Sequence, residues 1–376
     1  MRAAQSPGAP QDSAPATLPG VEVTEWSIFV CDPVSGRANP ARTIQSALPQ
    51  WIESVRPPVK GTPRGPSPIG IIRFSGQTDQ KIKVRLTAPT KAVCYAAWPP
   101  ARLSSQEIVW KDLTLSTIPG QREKLEADHW FAPLQNASHT YLVSGDKSEA
   151  FLLYDIELPF TVPLMIYPGK ATDGIQVESF GGAPLHDLVI YRPPHDGAGW
   201  TTGSLAEVAA KLPGGPVAAA TEIALAAPAN GADHPEEMLA ADWKERLRPW
   251  QLDPADSKVI INVLQAHALD DRQLTAIFRL DESVLNQLLP LEISPAPARV
   301  RRLALVIVRN IDPALPALID QLITQLGDPD WHARETASRL LAGYAPAADS
   351  KLRSAMQSKD AEVALRAERL LARDSR

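Results

Sequence analysis

Apolar and polar positions alternate along the chain from Val21 to about Trp200. The segment VEVTEWSIFVCDP places Trp26, Ile28 and Val30 on one side of an extended chain, which is the two-residue period of a β-strand. Similar short segments follow, separated by Pro, Gly or Thr/Asp breaks: IGIIRFSG, KIKVRLTAP, KAVCYAAWPP, EIVWKDLTLS, AFLLYDIELPFTVPLMIYPG, IQVESFGG and PLHDLVIYRPP. Short strands with proline-marked turns predict antiparallel sheets packed as a β-sandwich, and the lack of alternating helical segments argues against a parallel α/β fold.

Two parts of this region have patterns of their own. In residues 41–55, Ile44, Leu48 and Trp51 fall on one helical face, which predicts a short helix or helical crossover. Residues 146–193 are predicted to form a self-contained set of three or four strands. This set resembles the late strands of an immunoglobulin-like sandwich, although it lacks the Cys, Trp and Cys spacing of true immunoglobulin domains.

The chain changes character after residue 200. Residues 201–241 are rich in Ala, Gly and Pro and predict a linker, in which TEIAL could add an edge strand. Beyond it, Asp253 is the expected N-cap of a helix with Pro254 in its first turn. The apolar stripe of that helix is Val259, Ile260, Val263 and Leu264. The segments DDRQLTAIFRL and DESVLNQLLPL are predicted to continue in helical form.

Residues 299–309 have an ambiguous pattern. The six apolar residues from Leu303 to Val308 suit a strand buried on both faces as well as a turn of buried helix. A strand is favoured, with LEIS at residues 291–294 as its hairpin partner.

A helix–turn–helix unit occurs twice near the C-terminus. Shifting GDPDWHARETASRLL, residues 327–341, by thirty-two positions places Asp328 on Asp360 and Trp331 on Val363. The amphipathic segments PALIDQLITQL and AADSKLRSAM precede the two copies. Since Trp and Val share only apolar volume, a position that accepts both predicts a buried side chain.

Burial of Trp331 would place its ring near Leu322 or Leu326 of the preceding helix, with His332 facing solvent. The sequence Asp-Pro-Asp ahead of this helix could in principle bind a cation. Capping by Asp328 and Asp330 is the expected role, because carboxylates at that position accept the free N–H groups of the first turn.

The repeated unit resembles a HEAT-type helical repeat over about residues 314–372. The apolar–Arg–x–x–Ala–x–x–Leu pattern of such repeats is matched by Ala333, Arg334, Ala337 and Leu340. In the second copy Arg369 takes the place of Ala337. The resemblance implies α-solenoid packing and protein partners, and it implies no catalysis. Two helix pairs are fewer than such arrays need to stand alone, so they must pack on the preceding helices.

These patterns predict a multi-domain β + α protein, with an N-terminal antiparallel β-sandwich region and a C-terminal HEAT-like α-solenoid fragment. Outside the helical repeats, the chain resembles uncharacterised exported bacterial β-sandwich proteins. The predicted segments are a disordered leader at 1–20, a β-rich domain at 21–145, immunoglobulin-like strands at 146–200, a linker at 201–241, a helical region that can include a β-hairpin at 242–313, and HEAT-like repeats at 314–376.

Charge and composition narrow the classes of function. The chain has 376 residues and a net charge of -5, so it lacks the broad basic field that draws proteins to nucleic acid. It has no run of about eighteen apolar residues that would predict a membrane span. The Ala/Pro-rich leader contains RAAQ, which resembles the sequence after a cleaved export signal. Export to the periplasm is therefore predicted, with the cytoplasm as the alternative.

The chain has two cysteines, Cys31 and Cys94, without CxxC or Cys/His ligand spacing, which argues against a zinc or iron–sulfur site. They are two core thiols or one disulfide. Because both lie in alternating apolar segments of the same region, we expect them on neighbouring or facing strands of one sandwich.

Several residues are candidates for chemistry, and each has a simpler structural interpretation. The tryptophans that could stack on sugars, or simply pack in the sheets, are Trp98, Trp110, Trp130 and Trp200. The arginines that could clamp a phosphate, but are expected to form a solvated flank, are Arg299, Arg301, Arg302 and Arg309. The histidines, interpreted as surface or loop residues, are His129, His139, His186, His195, His234, His267 and His332.

The chain contains no phosphate-binding Gly-rich loop, HExxH, GxSxG or EF-hand motif, which argues against the enzyme and ion-binding classes that use them. We therefore predict no catalytic, cofactor-binding or metal-binding residues and no cofactor. The predicted function is a non-enzymatic scaffold that binds protein partners. The alternative is a carbohydrate-binding or hydrolytic β domain with accessory helices.

Overall fold

The computed structural model describes residues 17–32, 37–39, 69–90, 92–122, 132–137, 139–158, 162–170, 174–179, 182–194, 199–210, 220–227, 234–269 and 274–374. The strands are β1 Thr17–Asp32, β2 Arg37–Asn39, β3 Ile69–Ser75, β4 Thr78–Thr87, β5 Val93–Trp98, β6 Arg102–Leu103, β7 Glu107–Ser116, β8 Tyr141–Ser144, β9 Lys147–Glu149, β10 Leu152–Glu157, β11 Leu164–Pro168, β12 Gly174–Ser179, β13 Leu185–Arg192, β14 Thr201–Val208, β15 Thr221–Ala224, β16 Leu274–Leu280, β17 Leu291–Ser294 and β18 Ala296–Ile311. The helices are α1 Ala132–Asn136, α2 Pro235–Leu247, α3 Pro254–Ala268, α4 Glu282–Leu288, α5 Leu315–Gln325, α6 Trp331–Gly343, α7 Ala345–Ala355 and α8 Ala361–Asp374. The predicted mixture of β and α structure is confirmed.

A nine-stranded sheet lies at the centre of the molecule. Its order is β14-β13-β16-β18-β1-β3-β10-β5, and β2 pairs with the end of β1. All pairs are antiparallel except β1 and β18, which run parallel with Trp26 opposite Leu303. The expectation of antiparallel sheets is therefore wrong at the centre, where the whole intervening chain serves as the crossover that a parallel pair needs.

The two central strands are buried on both faces. Trp26 and Ile28 point to the side covered by helices α1–α3, whereas Phe29 and Cys31 point to the side covered by the two smaller sheets. The residues from Leu303 to Val308 alternate between the same two clusters. Successive side chains of a strand point to opposite faces, so this nearly continuous apolar run is a strand buried on both sides, as predicted.

The two smaller sheets cover one face of the central sheet. The first has the order β17-β4-β7-β8-β9, with β6 paired to β7, and the second has the order β11-β12-β15. Their inward side chains belong to the same apolar cluster as those of the central sheet. TEIAL forms the edge strand β15 that its pattern allowed.

The segment DDRQLTAIFRL contains a strand rather than the predicted helix. β16 lies between β13 and β18, and every side chain from Leu274 to Leu280 except that of Arg279 is buried. A short apolar run buried on both faces has no period that separates a strand from a helix. The predicted hairpin partner of β18 is also wrong, since LEIS pairs with β4, with Glu292 opposite Arg85.

Part of the predicted leader lies in the central sheet. Residues 17–20 belong to β1, in which Leu18 is 2% exposed. Pairing with β18 holds this end of the strand in the sheet. Residues 1–16 and the predicted helix at 41–55 lie outside the described residues.

Two predicted segments do not coincide with units of the structure. The segment 146–193 is not self-contained, because β10 and β13 belong to the central sheet while β11 and β12 belong to the three-stranded sheet. Residues 201–208 of the predicted linker form β14, which pairs with β13. In both cases the strands pair with partners that are distant in the sequence. Local sequence patterns do not reveal such pairing, so they did not predict the sheet to which each strand belongs.

The C-terminal helices form two antiparallel pairs, α5–α6 and α7–α8, that enclose their own apolar cluster. Residues buried there include Ile319, Leu326, Ala337, Ala348 and Ala367. The pairs join the β region at β11, where the Lys351 ammonium lies 5.7 Å from the ring centroid of Tyr167.

The repeat period is thirty residues rather than thirty-two. The Asp330 carboxylate accepts a hydrogen bond from the His332 N–H at 3.0 Å, and Asp360 accepts one from the Glu362 N–H at 2.9 Å. The capping role of Asp330 is confirmed. The identical pairs at a shift of thirty include Pro316/Pro346, Leu322/Leu352, Asp330/Asp360, Ala337/Ala367, Arg339/Arg369, Leu340/Leu370 and Leu341/Leu371. In this register Arg369 aligns with Arg339, so its mismatch with Ala337 disappears.

The predicted burial of Trp331 is wrong, because this side chain is 54% exposed. At a shift of thirty, Trp331 corresponds to Ala361, whereas Val363 is 8% exposed and corresponds to Ala333. The Trp331 ring makes an edge contact with the His332 ring at 5.0 Å between centroids. His332 is exposed, as predicted.

The cysteines do not lie on neighbouring or facing strands as predicted. Cys31 on β1 and Cys94 on β5 are buried thiols, and β3 and β10 separate their strands within the central sheet. Three strand spacings amount to about 14 Å, whereas a disulfide spans at most about 7 Å between Cα atoms. A bridge between them is therefore excluded in this structure.

Neither thiol is expected to react with a disulfide reagent such as DTNB in the folded protein at mildly alkaline pH. Burial, with a smaller contribution from the Asp155 charge, raises the pKa of Cys94 to about 12, so little reactive thiolate exists. Both thiols should react after unfolding in urea. Rapid reaction of one thiol without denaturant would contradict the burial described for these strands.

Candidate functional site

Three of the four tryptophans considered as sugar platforms lie in the core. Trp98, Trp110 and Trp200 are 8%, 1% and 8% exposed. The Trp110 indole N–H also donates to the Pro99 carbonyl at 2.8 Å. Stacking of a sugar needs an accessible indole face, so these three residues form no such platform. Trp130 lies outside the described residues.

The described histidines do not converge on one site. His129 and His195 lie outside the described residues, and the exposed histidines are His139, His234 and His332. His186 of β13 lies 3.2 Å from Asp281 through Nε2. His267 is buried in α3, where desolvation and then the Arg309 charge lower its pKa to about 4. The surface role predicted for His267 is wrong, because it lies on the apolar side of its helix.

Arg302 is a core residue rather than part of the predicted solvated flank. Its guanidinium is paired with the Glu25 carboxylate through two hydrogen bonds, and the two side chains are 3% and 0% exposed. Its other N–H groups donate to Asn286 Oδ1 at 2.7 Å and to the Leu289 carbonyl at 2.8 Å. The Tyr154 hydroxyl donates to the same carboxylate. The network is enclosed in the core and stabilises the junction of β1, β10, β18 and α4.

A helical hairpin covers the other face of the central sheet. In it, α2 and α3 are joined by a 3₁₀ turn at Arg248–Trp250. The buried Asp256 carboxylate of α3 accepts the Trp26 indole N–H at 2.9 Å and lies 3.4 Å from the Arg73 guanidinium. Burial raises the pKa of Asp256, against the opposing effect of the Arg73 charge. These contacts fix α3 to β1 and β3.

Helix α2 is fixed to the sheet by a second set of polar contacts. The Trp243 indole N–H donates to the Tyr191 hydroxyl at 3.1 Å, and that hydroxyl donates to Asp242 at 3.4 Å. Arg246 donates to the same carboxylate at 2.9 Å. Burial, followed by the Asp242 charge, raises the pKa of Tyr191, so its hydroxyl stays protonated. The position of the hairpin is thus determined by the sheet beneath it.

The turn between the helices is held by its own contacts. Arg301 of β18 donates to the Trp250 carbonyl and to Gln251 Oε1, both at 3.1 Å. Gln251 has a φ of 51°, a left-handed conformation that reverses the chain. Asp253 then caps α3 by accepting the Ala255 N–H at 2.8 Å, as predicted from the Asp-Pro start of this helix.

The solvent side of the hairpin forms an open groove of about 670 Å³, here called the hairpin groove. Its apolar lining includes the buried Leu247 and the half-buried Leu252 and Ile261. Because contacts with the central sheet hold both helices in place, the groove is formed without a bound partner. A preformed concave surface with apolar lining is the usual form of a binding site.

The rim of the hairpin groove is mainly cationic. It carries Lys244, Arg248 and Lys258, and the single carboxylate, Glu245, is ion-paired with Arg248. Among the described residues, neither Lys244 nor Lys258 takes part in an ion pair. The chain as a whole has a net charge of -5, so this rim is a positively charged patch on a negatively charged protein. Apolar lining inside a cationic rim suits an amphipathic segment that carries carboxylates.

No local sequence pattern predicts this groove. Helix α2 begins inside the segment predicted as a linker, and the basic residues are spaced along two helices with no recognised motif. The available signal was KERLRPWQLDPADSKVIIN, in which basic and apolar residues recur on either side of a Pro-marked turn. Only the packing of the two helices brings those residues to one surface.

The described residues were compared with the requirements of a metal site and of a membrane-spanning helix. They contain no group of three or more His, Cys, Asp or Glu side chains able to hold a metal ion. No described helix combines the length and apolar character needed to cross a membrane.

Comparison with known proteins assigns no family. No family model matches the chain, and no curated protein matches it significantly in sequence. Among solved structures, the yeast delta-COP-I mu-homology domain aligns with 11% identity and a TM-score of 0.30, covering 78% of this chain and 96% of that chain. The same domain complexed with a Dsl1 WxWxV peptide aligns with 10% identity and a TM-score of 0.29, over the same shares of both chains. Similarity at this level establishes neither a shared family nor a shared function.

Proposed function

We propose that this protein is a non-enzymatic scaffold that binds protein partners, and that the hairpin groove takes an acidic, amphipathic segment of a partner. In this proposal a β-sandwich body carries the groove and HEAT-like helix pairs extend from it. The observation that carries the proposal is the combination, in one preformed groove, of an apolar lining and the cations of Lys244, Arg248 and Lys258.

The chemistry of the remaining described residues supports a binding role. Two buried carboxylates are committed to contacts within the fold, that of Glu25 with Arg302 and that of Asp256 with Trp26. A partner with its own apolar face would remove Leu252 and Ile261 from water. Its carboxylates would meet the rim cations, which favours both association rate and selection of acidic partners.

The proposal predicts that a fluorescein-labelled amphipathic helix of leucine and glutamate binds the full chain, and that its lysine counterpart does not. The Ile261→Glu and Lys258→Glu variants should each weaken binding of the glutamate peptide about tenfold or more. Fluorescence anisotropy at two salt concentrations measures the affinity, which should fall as salt rises.

Lys147→Glu is the matched control, because it makes the same charge change at an exposed position of β9, outside the groove. It should leave the affinity unchanged. Equal binding of the two peptides, or full affinity in the Ile261→Glu variant, would refute the proposed groove. A different outcome is that the chain binds phosphatidylserine vesicles but not the peptide, and that Lys258→Glu abolishes the vesicle binding. That outcome would instead assign the cations to contact with a membrane surface.

A further inference from the structure

The three cations on the rim of the hairpin groove differ in their surroundings. Lys244 and Lys258 take part in no ion pair among the described residues, whereas Arg248 is ion-paired with Glu245. Glu245 itself lines the groove. The rim therefore presents two accessible positive charges and a third that a carboxylate of the same chain already occupies.

The position of Glu245 explains why its charge depends on Arg248. It lies in the last turn of α2, three residues before Arg248, and its main-chain carbonyl accepts the Arg248 N–H. The negative end of the helix dipole disfavours a carboxylate in a last turn and favours cations such as Lys244 and Arg246. The ion pair with Arg248, rather than the helix, thus offsets the charge of Glu245.

This ion pair is exposed and is held by one contact. The side chains of Glu245 and Arg248 are 59% and 71% exposed, and the contact joins a single guanidinium nitrogen, Nη2, to a single carboxylate oxygen, Oε2. Ion pairs in contact with water are weak, and two parallel bonds would be needed for a firm hold. A carboxylate carried by a partner can therefore replace Glu245 on Arg248.

Replacement of Glu245 would leave its carboxylate without its cation at the rim of the groove. That carboxylate would then lie beside an acidic partner, and like charges at close range oppose association. Carboxylates of a partner that lie against Lys244 and Lys258 meet no such competition. The three cations of the rim are thus unequal in what they contribute to binding.

We propose that Glu245 is a specificity-determining residue that competes with the partner for Arg248 and so limits the affinity of the hairpin groove for acidic segments. This inference rests on the proposed function of the groove. The partner that it favours carries carboxylates against Lys244 and Lys258, and uncharged side chains beside the pair of Glu245 and Arg248.

Fluorescence anisotropy of the labelled leucine and glutamate peptide with the full chain tests this competition. The Glu245→Gln variant should bind the peptide about three- to fivefold more tightly than the unmodified chain, because Arg248 becomes available. When Arg248→Gln is already present, the same substitution should gain less than about twofold, because it releases no cation. If Glu245 acted only through the overall charge, the two gains would be equal.

Glu237→Gln is the matched control, because it removes the same charge from an exposed position in the first turn of α2, outside the lining of the groove. It should change the affinity by less than about twofold. Circular dichroism should show that all variants remain folded.

The possible failures of the inference and of the proposed function can be told apart. If the unmodified chain binds the glutamate peptide selectively but Glu245→Gln gains no more than Glu237→Gln, or gains equally with and without Arg248, the competition is refuted and the groove stands. If the peptide binds neither the unmodified chain nor Glu245→Gln, both proposals are overturned.

Discussion

Replacing Arg302 with methionine is expected to lower the free energy of unfolding by about 3–5 kcal/mol. The substitution removes the cation but leaves the Glu25 carboxylate in a site where its exposure is 0%. It also removes the donors that satisfy Asn286 and the Leu289 carbonyl. A buried charge without a partner costs far more than the net contribution of the pair itself. Urea unfolding followed by tryptophan fluorescence measures the change.

Two variants separate this effect from a general loss of packing. Arg299→Met lies on the same strand at an exposed position and should change the free energy of unfolding by less than about 0.5 kcal/mol. The double variant Glu25→Leu with Arg302→Met should recover much of the loss, because it leaves no unpaired charge. If Arg302→Met unfolds at the same urea concentration as the parent, the ion pair does not form in the core.

Trp243→Ala is expected to cost about 3–5 kcal/mol, whereas Trp331→Ala should cost less than about 1 kcal/mol. Both tryptophans lie in helices, but Trp243 is 1% exposed and Trp331 is 54% exposed. Truncation of Trp243 also leaves the Tyr191 hydroxyl without its donor, whereas truncation of Trp331 opens no cavity. Urea unfolding monitored by far-ultraviolet circular dichroism measures both variants.

This pair of variants also tests the repeat register. A shift of thirty-two residues aligns Trp331 with the buried Val363, and a shift of thirty aligns it with Ala361 at the exposed start of a helix. A loss for Trp331→Ala as large as that for Trp243→Ala would require burial of the Trp331 ring. Such a result would favour the longer period.

Local sequence patterns were sufficient to predict elements whose structure depends on residues close together in the sequence. VEVTEWSIFVCDP became β1 because successive side chains of a strand enter opposite cores. Asp253 and Asp330 became helix caps because a short carboxylate side chain meets the free N–H groups of a first turn. Such features depend on neighbours within a few residues, and the sequence contains those neighbours.

Periodicity failed where burial was complete or where the contact was distant. LTAIFRL is buried on both faces, so it has neither a helical nor a strand period, and its place between β13 and β18 made it a strand. Arg302 follows two other arginines on a strand and was predicted to be solvated. Its partner Glu25 lies at the other end of the chain, so no local pattern could predict the pair.

Most strands, the C-terminal helices and the absence of several known enzyme motifs could be predicted from the amino-acid sequence, because each depends on side-chain period or on adjacent residues. Strand pairing, the burial of charges and the location of the hairpin groove depend instead on contacts that form when the chain folds. Lys244 and Ile261, for example, are on different helices and line one groove only because Trp243 and Asp256 fix both helices to the same sheet. Burial and proximity arise from contacts between distant segments, and they therefore exist only after the chain has folded.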